Sequence, residues 1–427
     1  VNWPVKWSIK LPHSIATNPF RLYLFGTGSW FFAFGIQSVM FAWLVTMVLH
    51  ESPQLVGIAQ MTMLIPTMLL ILVGGSLADV IGARRIVVIA QSVAVLPPLF
   101  LMVVVWTDSL SFHSMIAYGI VMGLAQAFVT PARDGLLNQV ARAGVQRAVV
   151  AASMTQFGVQ LAGFGIASLA ERVGAVPVLA IHALVLAAGV VFLARLPNRP
   201  EPVEKPGHPL RDLGRSIAEG YRTIAASAPM RMTVLQSCAM GSCFMGSYIV
   251  TLPLLVREAY AGTAGDLALM NTANSLGLVT TILMLMRFGD IRRQGRALLV
   301  AQAIGAVMLG AIGVGVSFVT LLGLVFLWGM GGGVAMSMAR TIMQELAPAN
   351  QRSRVMSFYS FAFMGSGPLG AFANGFLVEW IGPQWALIAA STTMFVVMVS
   401  IAYTSQLWRL QLTLHGKPTS AAIASSE

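Results

Sequence analysis

Apolar residues run through this chain in long blocks, and polar residues are confined to the short gaps between them. A helix needs about 20 consecutive, mostly apolar residues to cross the roughly 30 Å hydrocarbon core of a bilayer. Twelve blocks of that order lie between Leu22 and Leu407, near 22–49, 54–77, 86–106, 113–134, 148–170, 175–195, 232–256, 265–286, 297–316, 318–339, 353–378 and 384–406. Several contain glycine or proline, which membrane helices tolerate because neighbouring helices re-satisfy freed backbone groups. The pattern predicts an all-α polytopic membrane protein with twelve transmembrane helices.

A second, longer period overlies the first. Asn18, Pro19 and Arg21 open one half, and Ala228, Pro229 and Arg231 open the other about 210 positions later. Asp79 and Asp290 are 211 apart, Asn138 and Gln344 206 apart, and Glu171 and Glu379 208 apart. Offsets this constant predict two six-helix halves in parallel orientation, with a substrate site between them near the midplane and access alternating by rocking. The halves are 1–196 and 231–427. Between them, 197–230 begins Pro-rich and charged and continues into Leu210, Leu213, Ile217, Tyr221 and Ile224. That spacing makes one apolar stripe of a helix whose other face carries Arg211, Asp212, Arg215, Glu219 and Arg222. An amphipathic helix resting on the lipid surface is expected there.

Composition agrees with a bilayer: the chain is 57% hydrophobic and 10% charged, with mean hydropathy +0.78, against about 25% charged residues in soluble proteins. The net charge of +11 would suit nucleic acid, but the positions of the cations argue for topology instead. With the N-terminus in the cytoplasm, every lysine and arginine except Arg172 and Arg257 falls on the cytoplasmic side, as the positive-inside rule requires. Glu51, Asp108, Glu171, Glu258, Asp266 and Glu379 then lie in short outer loops. No nucleic-acid partner is expected, and both termini are placed in the cytoplasm. The segment before Arg21 is short and mixed, unlike the apolar core of a cleavable signal peptide. Cys238 and Cys243 lie five apart on one helix, which points them in different directions and makes a disulfide unexpected.

Gly75, Leu77, Asp79, Gly82, Arg84 and Arg85 form the loop after the second block, with a weaker echo at Gly289, Asp290, Arg293, Gly295 and Arg296. Gly82 permits a tight turn with positive φ, and Arg84 or Arg85 is expected to pair with Asp134, next to Arg133. Asp290 and Arg296 are expected to repeat the arrangement with Glu345, Arg340 standing where Asp134 stands. This loop resembles the signature between helices 2 and 3 of the major facilitator superfamily, with Val80 and Ala83 replacing two of its basic residues. The resemblance implies that these residues hold the cytoplasmic helix ends together when the protein opens outward and release them when it opens inward. Thr130 to Gln139, the Leu210 to Arg222 helix and Gln344 to Pro348 further resemble the branch containing the bacterial enterobactin exporter and related drug efflux proteins. That branch implies proton-driven export of a siderophore or amphipathic compound across a bacterial inner membrane.

The candidate binding residues are uncharged. Gln37, Gln126, Gln156, Gln160, Asn271 and Asn274 lie near the middle of their blocks, with Tyr248, Trp328 and Tyr359. The resemblance places them on helices that line or flank the cavity. Amides, aromatics and 25 methionines suit a largely apolar ligand with several hydrogen-bonding groups. None of the fifteen acids sits at mid-span, where a proton carrier is expected, which leaves His182 as the candidate proton site. A lysophospholipid translocator is the rival transport reading, and a non-transporting sensor the rival outside transport. No metal-ligand cluster, phosphate loop or nucleophile–base pair points to an enzyme, a metal or a cofactor. Nothing demands an oligomer, since two halves already form a pathway.

Overall fold

The computed structural model describes residues 18–141, 145–197, 209–288, 291, 293–348 and 351–410. The spans are α1 (Asn18–Trp43, continued by a π-helical turn Leu44–Val48), α2 (Pro53–Ile81), α3 (Ala83–Trp106), α4 (Phe112–Ala141), α5 (Val145–Ala167) and α6 (Ala175–Ala194). After the amphipathic α7 (Pro209–Ala226) come α8 (Ala228–Tyr260), α9 (Ala264–Phe288), α10 (Gln294–Gly313) and α11 (Phe318–Leu346). A last continuous helical segment, Arg352–Thr404, has 53 residues, far more than one crossing needs. Gly382, with φ 78°, breaks it into α12 (352–381) and α13 (383–404), so the last two expected spans join without a loop. The third span is also not one straight helix: it breaks at Val95, ahead of Pro97 and Pro98, whose rings exclude a regular ladder. The described residues contain no strand.

The face where α1 begins and α13 ends is called here the termini face, and the opposite one the far face. At the far face the duplication is written into the backbone. His50 and Ala261, 211 apart, both adopt positive φ, 50° and 45°. Asp108 and Gly315 do so after α3 and α10 (50° and 87°), and Gly174 and Gly382 before α6 and α13 (86° and 78°). Ser52 and Ser317 cap α2 and α11 by accepting from backbone N–H groups three residues on.

Lipid is as apolar as leucine, so close backbone approach rather than apolar burial holds these helices together. A Cβ on Gly35 of α1 would overlap the Gln160 carbonyl oxygen of α5, and one on Gly163 would overlap that of Phe32. In the second half Gly246 of α8 and Gly370 of α12 stand in the same relation. The buried Gln91 of α3 donates to Ser29 Oγ on α1 at 3.1 Å, and its repeat, Gln302 of α10, donates to Met240 Sδ on α8 at 3.0 Å. Gln91 and Gln302 are 211 apart, as are Ser29 and Met240.

The halves meet along α2 with α12 and along α5 with α9, while α4 and α11 pack within their own halves. The α7 helix does not simply rest on lipid. Glu219 forms an ion pair with Arg354 at the start of α12, Thr223 hydrogen-bonds Gln351, and the Tyr221 and Phe358 rings stand 5.8 Å apart. Ile224 is buried under this contact. Glycine at position 220 allows the approach, since a Cβ there would lie 2.7 Å from the Arg354 carbonyl oxygen. The linker therefore docks on the second half.

Candidate functional site

A pocket of about 160 Å3 opens among α8, α9, α11 and α12. Its wall is aromatic and methionine-rich: Phe244 and Tyr248 stand edge-on to Trp328 at 5.4 and 6.0 Å between ring centroids, with Met240, Met245 and Met336 beside them. Asn274 contributes an amide. Gly332 also lines the pocket, and a Cβ there would meet nothing within 4 Å. Tyr248 donates to Asn271 Oδ1 at 2.6 Å, and Asn271 donates to the Leu267 carbonyl at 2.8 Å, which fixes the phenol against the wall.

The α8 strut of this wall is irregular. Two π-helical stretches, Met240–Met245 and Ser247–Thr251, replace regular helix where the pocket lies. Asn374 of α12 braces them: its Oδ1 accepts from the Ser247 and Thr251 hydroxyls at 3.1 and 3.0 Å, and its Nδ2 donates to the Ser242 carbonyl of α8 and to the Gly370 carbonyl of its own helix. Asn374 has no amide counterpart in the first half at the repeat's offsets of 206–211, so it carries no signal in the sequence until α8 is seen to be irregular.

Of the sequence-predicted binding residues, Tyr248, Asn271, Asn274 and Trp328 come together here. Tyr359 is half-buried two turns or less from Phe363 but does not line the pocket. Gln37, Gln126, Gln156 and Gln160 belong to the first half. Gln37 is buried and donates to Met63 Sδ at 3.0 Å, and the other three are half-buried. The repeat relates them to the pocket. Gln37 corresponds to Tyr248, Gln126 to Gly332 and Gln156 to Phe363, at offsets of 211, 206 and 207. His182 of α6 is fully buried, and neither ring nitrogen has a hydrogen-bond partner among the described residues.

The loop residues are arranged differently from the sequence expectation. Gly82 has φ 101° and joins α2 to α3, and Gly75 packs on Pro131 of α4. Arg84 donates to the Ala194 carbonyl at the end of α6 rather than pairing with Asp134. The last carbonyls of a helix lack intrahelical partners and draw a cation. Asp134 lies 3.6 Å from its neighbour Arg133, whose guanidinium also sits 4.5 Å from the Phe31 ring centroid on α1. Arg85, Arg340 and Glu345 are exposed. Arg296 stacks over Trp408 at 5.0 Å instead of reaching toward Glu345. Asp79 is the third-last residue of α2; Asp290 lies outside the described residues.

Contacts across the halves cluster at the far face. Arg257 of α8 donates to the carbonyls of Thr46 and Glu51, at 3.2 and 3.0 Å, where α1 ends. Glu171 accepts from the Ala264 N–H at the start of α9 at 3.1 Å, a favourable place for a carboxylate. Gly57 of α2 and Gly375 of α12 abut, a Cβ on the first falling 2.9 Å from the Cα of the second. In this arrangement the halves are joined at the far face.

Two six-helix halves related by a repeat, meeting through α2 with α12 and α5 with α9, define a secondary transporter of the major facilitator type. The family described as transmembrane secretion effector matches residues 20–414, and the chain belongs to that family. No curated protein matches it in sequence. Its fold is similar to that of the nucleoside transporter NupG (TM-score 0.68, 14% identity, 92% of this chain and all of that one). It is also similar to the peptide transporter PepTSo (0.71, 13%, 92% and 99%) and to a transporter of the same peptide-transporter family solved with 5-aminolevulinic acid (0.69, 12%, 90% and 96%). The family and these structural neighbours are transporters, not enzymes.

Proposed function

We propose that this protein exports an amphipathic, largely apolar small molecule of the siderophore or drug type from the cytoplasm by alternating access. The observation that carries the reading is the aromatic and methionine surface that Tyr248, Phe244, Trp328 and Met336 form in the second half. The repeat relates three of the pocket's positions to Gln37, Gln126 and Gln156 of the first half, which adds amides to the site we propose. Such a cavity suits a ligand with an apolar body and scattered hydrogen-bonding groups, because aromatic and thioether surfaces adapt in shape while a few amides set orientation. The contacts that join the halves at the far face support loading from the termini face, the lysine and arginine distribution favours that face as the cytoplasmic one, and the branch resemblance adds a bacterial inner membrane to the proposal. One chain carries the whole pathway and works as a monomer. Exchange for protons belongs to the same proposal, with His182 as the carrier in a protein that has no mid-span carboxylate.

The test is thermal stability of the purified protein in detergent with catecholate and hydroxamate siderophores, lipophilic cations and lysophospholipids. A ligand bound only by the native state raises the melting temperature by mass action. Stabilisation by a siderophore or lipophilic cation, blunted in Gln126→Ala and Gln37→Ala, upholds the reading; stabilisation by lysophospholipids alone replaces it with lipid translocation. For the proton, vesicle flux driven by a pH gradient should vanish in His182→Gln while passive exchange persists. Unaltered gradient-driven flux in that variant removes His182 from the mechanism.

A further inference from the structure

A larger concavity lies away from the central pocket, on the outer surface between α10 and α13. Its volume is about 830 Å3, and it runs from the termini face into the span. The wall within the span is apolar: Val300, Ala303 and Ile304 from α10 face Phe395, Val399 and Ala402 from α13. Several of these side chains are exposed to the surroundings, Ile304 by 50% and Phe395 by 42%. At the mouth the chemistry changes within one turn to Thr404, Ser405, Gln406 and Arg409.

That mouth is built rather than incidental. The Gln406–Arg409 turn is a 3-10 helix whose Leu407 N–H is received by Ser405 Oγ. Leu407 itself is fully buried, and its carbonyl is pressed against Gly295 at the start of α10, where any side chain would collide with it. Arg296, one residue on, lays its guanidinium over the Trp408 ring at 5.0 Å. Two exposed guanidiniums thus stand at this mouth: Arg409 lines the slot, and Arg296 is held over Trp408, which lines it too. The residues lining the slot include no acid.

We propose that this groove holds an anionic glycerophospholipid of the termini-side leaflet, one acyl chain lying between α10 and α13 and the phosphate between Arg409 and Arg296. Charge complementarity selects the headgroup, since juxtamembrane arginines attract anionic lipid, and guanidinium matches phosphate through paired N–H donors. Depth selects a lipid over a peptide. A chain segment running up the slot would carry backbone N–H and C=O groups into hydrocarbon without partners, whereas an acyl chain has none to satisfy. Because the same turn is wedged against the start of α10, the lipid ties α10 to α13 on the second half and leaves the seam between halves free.

Native mass spectrometry of the full chain, with phosphatidylglycerol and phosphatidylcholine of matched acyl chains, tests this. Wild type should retain phosphatidylglycerol about tenfold more strongly. Arg409→Gln and Arg296→Gln should each narrow that preference, Arg409→Lys should keep most of it, and Ala303→Trp, which fills the slot, should lower retention of both lipids. Melting temperature without added lipid separates these effects from misfolding. Equal retention of the two lipids by wild type, or an unchanged preference in the Arg409→Gln, Arg296→Gln double variant, overturns the proposal. So does competition by glycerol phosphate, which would make the site one for a free phosphate. Cross-linking of a cysteine at position 300 to residues 411–427, or to a second copy of the chain, would give the groove to protein and overturn it equally.

Discussion

Arg257 reaches from α8 across the far face to the Glu51 carbonyl at 3.0 Å, bridging the two halves where α1 has just ended in a π-helical turn. The same guanidinium holds the Thr46 carbonyl and pairs with its neighbour Glu258 at 2.8 Å. Hydrogen bonds from a charged donor contribute about 2 kcal/mol, and a bias of that size moves a two-state population by more than tenfold. Arg257→Ala should therefore favour a conformation open at the far face. Spin labels on cysteines replacing Ser109 and Val314, exposed far-face residues of opposite halves, should report a longer distance in the variant. An unchanged distance distribution would remove Arg257 from the gate.

Glycines at the helix crossings separate into two kinds that substitution can distinguish. Adding a methyl group at Gly35 or Gly246 collides with backbone carbonyls of α5 or α12, and overpacking of this kind costs about 1–3 kcal/mol. At Gly158 and Gly323 a Cβ meets nothing within 4 Å. Alanine at the first two should lower the melting temperature clearly, and alanine at the second two should leave it nearly unchanged. A uniform response across the four would contradict the packing described.

Asn374→Leu keeps the side-chain volume and removes four hydrogen bonds, three of them from α12 to α8. The orphaned Ser247 and Thr251 hydroxyls can still bond within their own helix, so the cost should be about 1–3 kcal/mol rather than the sum of four bonds. The expected signature is a lower melting temperature with reduced ligand stabilisation, because α8 carries the pocket wall. Wild-type ligand response in a destabilised Asn374→Leu would uncouple the irregular helix from the site.

Filling the pocket without disturbing the fold is possible at Gly332, which lines it and has open space before it. Gly332→Leu should melt at the wild-type temperature and lose ligand-induced stabilisation. Tyr248→Phe, which removes only the bond to Asn271, should weaken a ligand by at most about tenfold. Full ligand response in Gly332→Leu would exclude this pocket as the binding surface.

Most of the fold was legible because the bilayer imposes it: apolar length sets the spans, and the Asp79 to Asp290 spacing sets the duplication. What stayed hidden was decided by contacts between distant segments. Nothing local distinguishes an amphipathic helix on lipid from one docked on α12; the pairing of Glu219 with Arg354 across 135 positions makes the difference. Likewise Arg84 had two kinds of partner within its reach by sequence, a carboxylate and a helix end, and the Ala194 carbonyl was found only when α6 came to lie beside α3. In the candidate site, Tyr248, Asn274 and Trp328 were readable as polar or aromatic interruptions of apolar runs. Gly332 and Met336 were not, since a glycine or methionine in such a run carries no contrast.

The Gly57 and Gly375 contact gives the seam between halves an unusual character. Where Gly57 of α2 meets Gly375 of α12, each helix contributes bare backbone instead of an interdigitated side chain. Parting them strips no knob from a hole and leaves no apolar socket for water to fill. The far side can therefore come undone like a clasp with smooth faces, its resistance residing in the polar catches at Arg257 and Glu171 and not in the surface between them.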